Sequence, residues 1–263
     1  MHTVHSLLLN LHIGIGMIAI ALFWAPLATR KGSRWHVRAG QWYVYSMYAV
    51  SATAFVMCLM VLTDPVGVRA PSRNLDPAAA YRLKANAQVF AAFLLMLSLL
   101  VFSAARHGLL ALRTRKEPRI MARPTHRLLL GAMGVTSIVV GLQGIATTQI
   151  LLMVFAVLGL SGSIRMLRET ARATWSRSEA IVAHLNGLIG TGIGAYTAVF
   201  AFGGSRLFQE LLPGQWQVIP WITPAIVGTF ATAWLERRYG GPKAQKKTME
   251  PAGRTPVTNP VKA

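Results

Sequence analysis

Ala85 to Ala105, ANAQVFAAFLLMLSLLVFSAA, contains no Asp, Glu, Lys or Arg and is bracketed by Lys84 and Arg106. A helix needs about 20 mostly apolar residues to cross the hydrocarbon of a bilayer, and there it must satisfy its own backbone hydrogen bonds. This stretch is long enough to do both. Charge-free stretches over 7–27, 40–62, 128–147, 149–164, 180–203 and 216–235 repeat the pattern along the chain. The spacing predicts an all-α, polytopic bundle of seven transmembrane helices over residues 1–236, followed by a disordered basic tail over 237–263.

Composition agrees. The chain of 263 residues is 53% hydrophobic and only 13% charged, whereas an ordinary soluble domain carries about 25% charged residues. Its net charge of +19 would suit nucleic acid if the cations formed one stripe, but they sit at the ends of apolar spans, so no nucleic-acid partner is expected. All but five of the 27 Lys and Arg fall on one side: in the connection around Arg30 to Arg38, in that from Arg106 to Arg127, in that from Arg165 to Arg177, and in the tail. Arg69, Arg73, Arg82, Lys84 and Arg206 are the exceptions. The positive-inside rule then sets the N-terminus outside and the C-terminus in the cytoplasm of a bacterial inner membrane. The tail is a candidate contact for anionic lipids. The first apolar run is full length and lacks a basic leader, so it is expected to be a retained helix.

Packing signals lie in the small residues. Gly190-x-x-x-Gly194 in span six, and Gly131, Gly134, Ser137, Gly141 and Gly144 in span four, predict close helix approach. A Ser176-x-x-Glu179 capping box is expected to start the sixth helix. Pro224 is expected to kink the seventh. Cys58 is single and reads as a small buried hydrophobe.

Chemistry rests on seven histidines. His2, His5 and His12 belong to the outer half; His36, His107, His126 and His184 lie at or just inside the cytoplasmic surface. Spans two, four and six each open with one of them, in Trp35-His36, Thr125-His126 and His184-Leu185-Asn186-Gly187. An ionisable group in a membrane is a functional candidate by default, against the plainer reading of a neutral imidazole bonded to a neighbouring helix. His36, His126 and His184 are therefore expected to converge, either as three ligands of one metal or as a source of two axial ligands for a single haem b. In the haem case His184 pairs with His36 or His126, while Arg38 and Arg127 face the propionates. No Asp or Glu falls within the spans as read, which counts against a metal hydrolase and against proton-coupled transport. Membrane electron transfer through a haem or metal site is the leading expectation. A non-catalytic transporter, scaffold or lipid-interacting protein is the alternative.

Leu11-His12-Ile13-Gly14 with Ala19 to Leu22, then Arg30-Lys31-Gly32 and His36-x-x-x-Gly40 followed by Tyr43 to Met47, resembles the opening of the bacterial multi-pass family called domain of unknown function 2306. His184-Leu185-Asn186-Gly187 with the helix that follows resembles a later signature of related proteins. The chain departs from the pattern at Val37-Arg38, where His-Arg is expected, and at Gly187-Leu188, where a methionine is usual. The resemblance implies a membrane bundle and no established activity. A more distant likeness to ascorbate-linked transmembrane cytochromes b implies paired histidines on neighbouring helices.

Overall fold

The computed structural model describes residues 1–204, 210–212, 216 and 219–240, with side chains as far as Arg238. The described chain is all-α. Its elements are α1 (His2–Ala28), α2 (Arg34–Thr63), the short α3 (Pro65–Arg69), α4 (Pro77–Arg113), α5 (Pro124–Ala146), α6 (Ile150–Thr170), α7 (Arg177–Ala198) and α8 (Ile219–Gly240). A 3₁₀ turn over Pro118–Ala122 leads into α5, and α7 runs on as a π-helix over Val199–Gly203. Among the described residues six helices are long and apolar enough to cross a membrane: α1, α2, α4, α5, α6 and α7 with its π extension. The seventh expected crossing coincides with α8, where Pro220, Thr223, Pro224 and Thr229 dilute the apolar character. Of the expected tail, Arg237 to Gly240 continue α8 and the remainder lies outside the described residues.

Local chemistry sets the helix ends. Ser33 accepts from the His36 amide, Asp64 from Gly67 and Asp76 from Ala79, each side-chain oxygen satisfying an amide left over in a first turn. The capping box is present in full, with the Ser176 hydroxyl accepting from the Glu179 amide and the Glu179 carboxylate accepting from the Ser176 amide. α5 and α6 are joined by only Thr147, Thr148 and Gln149, with Thr148 in the left-handed region at φ 52°. The stretch from 128 to 164 is thus a tight helical hairpin. Pro224 is accommodated inside α8.

The helices are antiparallel neighbours arranged around α4. That helix packs against α2, α5 and α7; α1 lies on α2, α6 on α5, and α8 on α7. Tyr43, Val44, Met47 and Ala105 bury one part of the interior, and Phe93, Met96, Val140, Leu152 and Ala156 another. Leu128, Val135, Leu142, Val157, Val227 and Phe230 point outward, an apolar exterior that suits lipid. Cys58 is free and buried.

Small residues do set the helix spacing, at positions that only partly match the sequence pattern. A Cβ on Gly134 would meet Ser163 Oγ at 2.8 Å, and one on Gly144 would meet Met153 at 2.9 Å, so the stripe on α5 seats α6. Gly190 has nothing within 4 Å of where a Cβ would stand, whereas one on Gly187 would lie 2.6 Å from the Ala104 carbonyl oxygen and 2.9 Å from the Gly108 Cα. The close crossing of α7 with α4 therefore belongs to Gly187, one turn before the Gly190-x-x-x-Gly194 pair.

Candidate functional site, a buried carboxylate and two imidazoles

The ends of the bundle differ. One carries the α1–α2, α4–α5 and α6–α7 connections with their arginines, and at this basic end α4 presents His107 and Gly108. His107 Nε2 donates to Glu169 Oε2 of α6 at 2.7 Å. Its Nδ1 is 3.1 Å from His126 Nε2 of α5, with the two rings 5.3 Å apart and inclined at 34°. His107 is 2% exposed and His126 is fully buried. Glu169 keeps 13% of its side-chain surface, and its other oxygen lies 3.5 Å from Arg165. The chain ends at His126 Nδ1, which is buried with no hydrogen-bond partner.

The carboxylate fixes the direction of the bonds. Ionised Glu169 can only accept, so the His107 proton sits on Nε2; a neutral His107 then accepts at Nδ1 from His126 Nε2–H. His126 Nδ1 is left as a bare lone pair. Moving each shared proton one atom toward Glu169, as a proton arrives at His126 Nδ1, yields a neutral carboxyl and an N–H on Nδ1 of both rings. No backbone group has to move.

Glu169 corrects the expectation that the spans hold no carboxylate. The charge-free run ends at Ile164, but α6 continues to Thr170 because Arg165 and Arg168 face outward at its end while Glu169 turns inward to His107. Long cations at a helix end carry their charge to water along an apolar stem, so their presence does not end the helix. The signal in the sequence was the spacing: Glu169 lies three residues after buried Met166, at the edge of the inward stripe.

The other predicted residues go elsewhere. His184 Nδ1 donates to the Gly108 carbonyl at 3.0 Å, His36 Nδ1 to the Pro26 carbonyl at 3.0 Å, and His12 Nδ1 is 3.0 Å from the Val50 carbonyl. The Pro26 carbonyl also takes the Lys31 ammonium at 2.9 Å, and partial burial holds that amine below its usual range. Arg127 is engaged with the end of α6, through its Nε to Thr170 Oγ1 and an Nη to the Thr170 carbonyl, both at 3.2 Å. Arg38 is exposed on α2.

His36, His126 and His184 therefore do not join in one metal centre, and among the described residues no group of three or more His, Cys, Asp or Glu side chains could hold a metal ion. The reason lies in α4. His126 and His184 both reach residues 107–108, but on different faces of that helix, which separates them. The haem arrangement that uses His126 does not fit either, because one of its nitrogens is taken by His107 and the other is sealed. His36 and His184 have a different hydrogen-bond state. Each is pinned through Nδ1–H to a main-chain carbonyl, which leaves Nε2 with the lone pair.

Beside Glu169 a cleft of about 480 Å³ opens between α6, α7 and α8, lined among others by Arg172, Trp175, Glu179, Asn186 and Glu236. Asn186 Nδ2 donates to Glu236 Oε1 at 2.6 Å, and Glu179 Oε1 accepts from Arg172 at 3.0 Å. Comparison with protein-family models, with curated proteins and with solved structures finds no match to this chain.

Proposed function

We propose that the chain is a bacterial inner-membrane protein of seven crossings, with its N-terminus outside and its C-terminus in the cytoplasm, that binds and releases a proton at Glu169, His107 and His126. The one-sided distribution of Lys and Arg supports the orientation. The carrying observation is the unbroken chain of contacts at 2.7 and 3.1 Å from a partly exposed carboxylate to a fully buried imidazole. Transport and redox proteins that couple to protons use such intramembrane acid–base groups. Glu169 supplies the carboxylate that this class requires.

The site's role is to load a proton from the cytoplasmic side and hold it in the bundle. Proton counting tests this. Protein in weakly buffered detergent solution, titrated downward from about pH 8 through the carboxylate range near pH 4, should take up about one proton more than Glu169→Gln or His107→Asn. Equal uptake by all three would remove the reading.

A second reading follows from the tautomers of His36 and His184. These two would hold one haem b, which supplies one-electron transfer when bound, with Arg38 near enough in sequence to His36 to face a propionate. A reduced-minus-oxidised spectrum from haem-replete cells tests it. A b-type band lost in His184→Ala and His36→Ala, and kept in His126→Ala and His12→Ala, is the expected result; no band in the wild type ends the haem reading.

A further inference from the structure

α2 packs against α4, and Tyr48 stacks on Phe102 between them with ring centres 4.8 Å apart. From that contact each helix carries a stripe toward the basic end. Residues three and four apart share one face of a helix. On α2 the stripe therefore runs back from Tyr48 through Tyr45, Gln41 and Arg38 to Arg34, and on α4 it runs forward from Phe102 through Arg106 and Leu109 to Arg113. At a rise of about 1.5 Å per residue, Arg106 stands roughly 6 Å from the aromatic contact, and Arg38 and Arg113 come level with each other roughly 15 Å from it.

This edge holds cations and no anion to neutralise them. α1, α2, α4 and α5 contain no Asp or Glu. The four carboxylates described at the basic end are engaged elsewhere: Glu117 with Arg123, Glu169 with His107 and Arg165, Glu179 with Arg172, and Glu236 with Asn186. Among the described residues no hydrogen bond or ion pair engages Arg38, Arg106 or Arg113. Arg106 is nevertheless half-buried. Away from the arginines the same two stripes turn apolar, with Ala52, Phe55 and Leu59 following Tyr48 on α2 and Leu99 and Leu95 preceding Phe102 on α4. Phe55 and Leu59 are exposed. A simple anion would meet only the basic half of this surface, whereas a molecule with an anionic head and an apolar tail meets both.

We propose that the α2–α4 edge holds an anionic phospholipid, its phosphate set among Arg38, Arg106 and Arg113 and an acyl chain laid over Tyr48 and Phe102. Basic pockets between membrane helices on the cytoplasmic side take anionic headgroups, and the planar guanidinium fork matches phosphate oxygens. The Tyr45 hydroxyl and the Gln41 amide, on the same stripe, add uncharged donors. The site does not depend on proton binding at Glu169, whose side chain turns to His107.

The test uses the full chain purified in detergent, with lipid retention read by native mass spectrometry. Phosphatidylglycerol is expected to be retained in preference to phosphatidylcholine, and inorganic phosphate at the same concentration should not displace it. Arg106→Gln and Arg113→Gln should each weaken retention about fivefold, the value of one cation beside an anionic headgroup, at unchanged melting temperature. Arg106→Lys, which keeps the charge, should recover most of that loss. If Arg106→Gln fails to fold, Arg113→Gln, exposed in the last turn of α4, carries the same reading. Lys243→Gln, Lys246→Gln and Lys247→Gln, made together in the tail, should leave retention unchanged. Equal retention of the two lipids, displacement by inorganic phosphate, or a loss that follows the tail variant while Arg113→Gln binds as the wild type does, overturns the proposal.

Discussion

Gly187 of α7 lies against Gly108 of α4 so closely that a Cβ on Gly187 would stand 2.9 Å from the Gly108 Cα. The contact adjoins His107, and the Gly108 carbonyl accepts from His184, so the same crossing sets the helix spacing and the imidazole positions. Gly187→Ala is expected to destabilise the bundle by about 1–3 kcal/mol, the range for forced overpacking. Gly190→Ala, with open space at its Cβ, should be stable to within about 0.5 kcal/mol of wild type, as for changes away from packing contacts. Thermal unfolding in detergent compares the two, and equal losses would refute the assignment of the close contact.

The buried chain predicts non-additive mutants. His126→Phe leaves His107 Nδ1 without its partner and is expected to cost about 1–3 kcal/mol, the penalty for an unsatisfied buried group. Adding His107→Phe strands Glu169, so the pair of changes should cost more than the first alone. Replacing Glu169 by Leu as well, in the triple variant, should recover part of that loss, because an apolar replacement of a whole buried polar set is often close to neutral. Unfolding free energies from the three variants check the order.

The capping box at the start of α7 gives a separate test. Ser176→Ala removes the oxygen that accepts from the Glu179 amide at 3.2 Å and should cost about 0.5–2 kcal/mol. Ser176→Asp should recover most of it. A melting temperature unchanged by Ser176→Ala would show that the cap adds nothing to this helix.

Orientation is checked by fusion. Alkaline phosphatase joined after Lys247 should be inactive and green fluorescent protein at the same point bright, because nearly all the cations flank that side of the spans. The reverse pair of results would invert the bundle.

The sequence made the all-α architecture legible because charge is excluded from long helices in lipid, and that rule acts at every residue of a span. It also made Ser176 and Glu179 legible, since a cap is a local motif. The site was harder. His107 and His126 were both named, but Glu169, the carboxylate bonded to His107, was not, because the charge-free criterion stopped at Ile164 and left Glu169 in a connection. His36, His126 and His184 were read as residues at one end of the bundle, but depth along an axis says nothing about azimuth, and α4 stands between two of them. Gly190-x-x-x-Gly194 failed for a related reason: spacing identifies which residues share a stripe, and the crossing point depends on the partner helix.

The three-residue turn of Thr147, Thr148 and Gln149 has a consequence for how the site is assembled. It carries no charge and is too short to let the two helices part. α5 and α6 therefore pack as one unit along Gly134, Ser137 and Gly144. His126 and Glu169, at the far ends of that pair, are brought level by the hairpin itself, so the site needs only α4 to be completed.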